Sequence, residues 1–118
     1  MNSVNIIGRL TKEPELQHTP GGKSVLKVSV ALNDGYKENQ KSYFFDVQIW
    51  DKSAENVAKY VKKGDRIGLS GKLVQDRWQD KDGNKRSKVY VNAFQIFFIE
   101  TKSKPNEAQP NQDDVEWT

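Results

Sequence analysis

Residues Ser42 to Trp50 read SYFFDVQIW, and their period decides the fold. Successive side chains of a strand point to opposite faces, so Tyr43, Phe45, Val47 and Ile49 share one face while Phe44, Asp46, Gln48 and Trp50 share the other. The first set predicts an ordinary core. The second joins two large aromatics to an acid and an amide, a mixture that suits neither an interior nor a purely solvated surface. Phe44 and Trp50 have the same parity and lie six residues apart. At the usual rise that is about 20 Å along a strand, enough for each to hold a flat ligand of its own.

Further strands are readable on both sides. In residues 4–10 Val4, Ile6, Gly8 and Leu10 share one parity. In residues 24–33 Leu26, Val28, Val30 and Leu32 face one way and Val25, Lys27, Ser29 and Ala31 the other. The segment between them, punctuated by Pro14 and Pro20-Gly21-Gly22, reads as an irregular connection. Beyond Trp50 the period changes. Ala54, Val57, Ala58 and Val61 recur at helical spacing, with Ser53 placed to cap the start, Lys62 and Lys63 to suit the negative end and Gly64 to stop it. The spacing predicts one short helix over 53–63.

Period two returns in residues 66–74, where Gly68 and Gly71 permit sharp bending. Residues 75–88 predict a long polar hairpin arm around Asp82-Gly83, and residues 89–100 a closing strand. Five strands with one helix between the third and fourth match an all-β, five-stranded oligonucleotide/oligosaccharide-binding barrel, the OB-fold. Some other small all-β barrel is the alternative from pattern alone.

The chain has 118 residues, the size of one domain with a single core. That domain is expected over residues 1–100. Residues 101–118 turn abruptly to Pro, Asn, Gln and charge with almost nothing to bury, and predict a disordered acidic tail. Cysteine is absent, which excludes a disulfide framework and a thiolate metal site and fits a reducing compartment. The amino terminus has no basic start and Arg9 interrupts its short apolar run, so neither a signal peptide nor a membrane span is expected. Residues 1–100 carry 17 Lys and Arg against 12 Asp and Glu, residues 101–118 carry 2 against 4. A basic body with an acidic tail attracts phosphate polymers, although the surplus is mild.

Catalysis finds little support. His18 is the one histidine and has no nucleophile or metal-like partner at a recognisable spacing, and no phosphate-binding glycine motif is present. The expectation is a binder with no catalytic residue, metal or cofactor. Single-stranded nucleic acid offers two handles independent of sequence, phosphate charge and flat base faces. A protein using both needs cations along a groove and aromatics on the same sheet surface. Phe44 and Trp50 fit that requirement. So does Trp78, flanked by Gln75, Asp76, Arg77, Gln79, Asp80 and Lys81, and so does Tyr36 beside Lys37, with Arg77, Lys85 and Arg86 as nearby cations. Taken singly each has a plain structural explanation: strand aromatics pack, a loop tyrosine pins its loop, and arm cations face water. Their coincidence points to a ligand.

The segments NIIGRLTKEPELQHTPGGKSVLKVSVALN and FFDVQIWDKSAENVAKYVKKGDRIGLSGKL, with RW followed by DG in the arm, resemble the bacterial single-stranded DNA-binding protein family over residues 1 to about 100. The resemblance implies an OB-fold, a cytoplasmic, nucleoid-associated homotetramer, and wrapping of single-stranded DNA during replication, recombination and repair. It carries base stacking onto Tyr36, Phe44, Trp50 and Trp78 and basic contacts onto Lys52 and Lys63. Gln17, Asp46 and Asp76 stand where that family often has a basic residue, which implies a phosphate track that is either weaker or routed through Arg77, Lys85 and Arg86. The family's tail recruits replication and repair proteins through an acidic tip ending in Ile-Pro-Phe. Here the tip is DDVEWT, which keeps Asp113 and Asp114 and offers Val115 and Trp117. Its altered form suggests a phage- or plasmid-borne member serving its own partners. The competing reading is a barrel of the same architecture acting as a protein-interaction or RNA-binding module, with a carbohydrate binder third.

Overall fold

The computed structural model describes residues 1–35 and 37–100. Tyr36 and the tail residues Asp113, Asp114, Val115 and Trp117 lie outside the described residues. In chain order the elements are β1 (Val4–Leu10), β2 (Leu16–His18), β3 (Ser24–Asp34), β4 (Lys41–Trp50), α1 (Asp51–Tyr60), β5 (Arg66–Gln79) and β6 (Lys85–Glu100). The sheet order is β1-β5-β6-β4-β3-β2, and a further pairing of β1 with β3 closes it. Five strands thus form the expected OB-fold ring, with α1 between the third and fourth of them. β2 is an addition: three exposed residues paired antiparallel to β3 through Leu16 with Leu26 and His18 with Ser24, in the segment expected to be irregular.

The ring closes around the residues whose alternation predicted it. Leu10, Leu26, Val28, Val30, Val47, Ile49, Ile67, Leu69, Val91 and Ala93 are buried together, and Ala54, Val57 and Val61 plug the cluster from α1 and its carboxyl end. A fully buried aliphatic side chain of this kind contributes about 1.5–3 kcal/mol. The seam between β4 and β6 is parallel and short, pairing Val47 with Val91, Gln48 with Asn92 and Ile49 with Ala93. Opposite it, the β5–β6 ladder shifts register between Ser70 and Gly71. A Cβ on Gly71 would lie 2.4 Å from the Asn92 carbonyl oxygen, so only glycine permits the approach.

Two expectations are corrected. Tyr43 and Phe45 share the inward parity of Val47 and Ile49, yet they are 43% and 42% exposed. The cause is the length of the seam: β6 covers β4 only from Val47 onward, and the outer half of β4 has β3 alone for a neighbour. The helix also begins and ends early. Trp50 occupies its N-cap without a side-chain bond, Asp51 takes the turn at φ 58°, and Ser53 caps nothing. Asp is one of the few residues that tolerates this left-handed region.

At the other end Val61, 2% exposed, is drawn into the core in an extended conformation and ends the helix there. Lys62 and Lys63 therefore lie past the helix in a turn. Lys62 N–H donates to Asp65 Oδ2 at 2.9 Å, and Gly64 at φ 89° donates its N–H to the Leu10 carbonyl at 2.9 Å. Gly64 shapes that turn rather than stopping the helix.

Candidate nucleic-acid interface

Directly opposed residues of a strand pair share a face, and the registers assemble one continuous outer surface from four strands. Across its centre Lys27 of β3 opposes Gln48 of β4, Gln48 opposes Asn92 of β6, and Asn92 opposes Lys72 of β5. Moving toward the hairpin ends, the same face carries Asp46 and Phe44 on β4, Tyr90, Lys88 and Arg86 on β6, and Val74, Asp76 and Trp78 on β5. Moving the other way it carries Trp50, whose partner Val25 is buried although its strand face is the polar one. Trp50 is half-buried, consistent with covering Val25, whereas Phe44 and Trp78 are 63% and 49% exposed.

Three of the four predicted aromatics therefore stand on one surface with Arg86, interleaved with lysines. Lys27 and Lys72 were not singled out from sequence, and Lys88 was read there as an arm cation facing water. Their outward parity within their strands was the available signal. Arg77 and Lys85 fall elsewhere. Arg77 opposes Ser87 and Lys85 opposes Gln79, so both point from the reverse face of the arm. Lys52 is exposed in the first turn of α1, immediately after Trp50. Lys63 is exposed in the turn after α1, and its N–H donates to Glu13 Oε2 at 3.2 Å. Glu13 in turn lines an open polar cleft with Lys12, Glu15, Gln17 and Lys27, which brings Lys63 toward the Lys27 edge of the surface.

The acids on the surface are engaged. Asp46 Oδ2 lies 3.4 Å from Lys88 Nζ, an exposed pair that ties the β4 and β6 hairpins together and is worth about 0–1 kcal/mol. Burial, with the Asp76 carboxylate and its hydrogen bond adding to it, raises the Tyr90 phenol above its usual range. At the arm tip Asp80 Oδ1 accepts from the N–H groups of Asp82 at 3.0 Å and Asn84 at 2.9 Å, and Oδ2 accepts from Arg86 Nε at 3.0 Å. The bond from Asn84, then that from Arg86, holds this carboxyl below the usual carboxylate range. The tip is thus a locally braced turn, with Gly83 at φ 83°, and it leaves the two Nη groups of Arg86 for a ligand. In the middle of the surface Asn92 Oδ1 is buried without a hydrogen-bond partner.

Such a surface has two chemical offers, flat hydrophobic rings for planar groups and cations for anions. Among the described residues no group of three or more His, Cys, Asp or Glu is placed to hold a metal ion, and no helix is long and apolar enough to cross a membrane.

The chain is 40% identical to a single-stranded DNA-binding protein of Deinococcus radiodurans over 101 residues, 81% of this chain and 33% of that protein. It is 37% identical to single-stranded DNA-binding protein 3 of Clostridium acetobutylicum over 114 residues, 94% of this chain and 79% of that protein. A single-stranded DNA-binding protein of Bacillus cereus is 37% identical over 106 residues, 87% of this chain and 62% of that protein. The chain thus spans less than two thirds of the first and third of these relatives. Residues 1–99 match the sequence model of the single-strand binding protein family, and the chain belongs to that family.

Proposed function

We propose that this chain binds single-stranded DNA without strong sequence preference, by stacking bases on Phe44, Trp50 and Trp78 and by contacting phosphates with Lys and Arg, and that it performs no catalysis. The observation that carries the reading is the shared outer face: three aromatics and the cations Lys27, Lys72, Lys88 and Arg86 stand on one four-stranded surface. Every base has a π-face and every nucleotide a phosphate, so this combination is tolerant of sequence. Membership of the single-strand binding family supports it. Lys52 and Lys63 supply contacts at the helix end of the surface. Arg77 and Lys85 contribute on the reverse side of the arm, and Tyr36 is a further stacking residue. Protection of single strands in replication, recombination and repair is the role that follows, with residues 101–118 recruiting partner proteins through Asp113, Asp114, Val115 and Trp117.

Assembly of several copies is part of the proposal, the homotetramer being what family resemblance implies. Two features support it. Ile7, Phe97 and Ile99 are exposed around Gly68 on the outer wall of β1, β5 and β6. In addition, β1 pairs with β3 only at Arg9 and Leu10, so among the described residues Val4–Ile7 has a strand on one side only. An unpaired edge beside an apolar patch is a template for a second copy.

The deciding experiment is a tryptophan-fluorescence titration with a thymine oligonucleotide and with a matched duplex, at low and high salt. Quenching by the single strand, absent with the duplex and weakening as salt rises, is the expected result. Equal affinity for both, or affinity unmoved by salt, would remove the proposal.

A further inference from the structure

Phe94 takes no part in the surface as described so far, and burial does not explain it. It is 68% exposed, more than Phe44. It lies in the middle of β6, and its neighbour Ala93 is 4% exposed and faces the core. The ladder explains the orientation. Gly71 opposes Ala93 and Ser70 opposes Gln95, so Phe94 is an extra residue with no partner on β5. A bulge of this kind re-aims a side chain and recurs beside binding sites. Phe94 shares the outward parity of Tyr90 and Asn92, and the bulge leaves it without a partner on β5.

The parallel seam says where that ring stands. Gln48 pairs with Asn92 and Ile49 with Ala93, the last rung of the seam; carried one residue further, that register sets Trp50 and Phe94 at neighbouring positions on the outside of the barrel. Neighbouring strands are about 4.8 Å apart. The adjacent row is Lys27, Gln48, Asn92 and Lys72, which puts a lysine at each end of the line next to the two rings. An apolar contact between copies gains nothing from that placement, whereas a polyanion with flat bases uses both. We infer that Phe94 is a further base-stacking residue, which extends the platform sideways from Trp50 across the seam so that the bound strand crosses from β4 to β6. This rests on the single-stranded DNA reading proposed above.

The test uses the full chain and thymine oligonucleotides. Phe94→Ala keeps every tryptophan, so the same quenching assay reads it. It is expected to weaken binding about 5- to 150-fold, the range for loss of one stacked base. Phe94→Tyr should stay close to the unmodified protein and Phe94→Leu should behave like the alanine variant, with the assembly mass by sedimentation unchanged in all three. Photo-cross-linking of the unmodified protein to an oligonucleotide carrying 5-iodouracil should yield an adduct on Phe94, a result that does not depend on any variant folding. Unchanged affinity in Phe94→Ala, full affinity in Phe94→Leu, or adducts confined to other residues would overturn the inference and leave the DNA reading standing. Failure of the unmodified protein to bind the oligonucleotide at all would overturn both.

Discussion

β5 and β6 are barrel wall over residues 66–73 and 91–100 and free arm over residues 74–79 and 85–90. In the wall, Ile67, Leu69, Val91 and Ala93 are buried, the register shifts at Gly71, and the ladder bends into the ring. In the arm the ladder runs straight on from Val74–Tyr90 to Gln79–Lys85, and no residue from Gln75 to Val89 is buried. What holds the arm is mostly local, cross-strand bonds and the Asp80 carboxylate bracing the turn, with the exposed Lys88–Asp46 pair as a weak tie to β4. The wall owes its shape to removal of apolar area from water, the arm to turn chemistry. Stability and ligand affinity should therefore respond to different residues.

The contrast can be broken from either side. In the wall and its neighbours, Leu26→Ala removes a side chain with no exposed surface and should destabilise the fold by about 2–5 kcal/mol, read as a lower urea midpoint. In the arm, Trp78→Ala should leave that midpoint unchanged and lower the affinity for a thymine oligonucleotide by about 1–3 kcal/mol. A Trp78→Ala variant that melts early would show that the arm is part of the cooperative core after all. Asp46→Asn sharpens the comparison on the surface between the hairpins. It releases Lys88 from its carboxylate, and affinity should rise by at most about 1 kcal/mol, most visibly at low salt.

Acid gives the smallest effect. The Asp80 carboxyl is held below its usual range in the folded arm, so its contribution is complete above the pKa of an unfolded aspartate and is lost as pH falls through the lower folded value. Hydrogen exchange at Asp82 and Asn84, compared with the same amides in Asp80→Asn, should show bracing that persists at neutral pH and disappears only below the ordinary carboxylate range.

Legibility followed the same division. Strict alternation located β1, β3 and β4, and the Asp82-Gly83 turn located the arm, because each is specified by residues close in sequence. β2 carries no such signal. Its three exposed residues become a strand because β3 offers an edge, a fact about tertiary position. The helix boundary moved because Val61 is worth more inside the core than on a further helical turn. Tyr43 and Phe45 have the correct parity for a core, but parity does not reveal how far a neighbouring strand reaches. Arg77 beside Trp78 shows the reverse lesson. Adjacency in sequence suggested a shared site, and the alternation that had been applied to β4 already separates the two across the arm. Phe94 has the outward parity of Asn92 and could have been marked by the same alternation, whereas the residues after it could not, since a single unpaired residue shifts the parity of everything that follows.

The parallel seam between β4 and β6 has a kinetic meaning. It joins residues 47–49 to residues 91–93, across the whole of α1 and β5, and no local hairpin brings them together. Contacts so distant in the chain carry a loop-closure cost and make folding slow for a domain of this size. Being only three pairs wide, the seam is also the natural line along which the ring reopens by fluctuation. Trp50 is the next residue after that line on β4, so a ligand that spans from β4 to β6 would act as a clasp, selecting the closed barrel and slowing its opening.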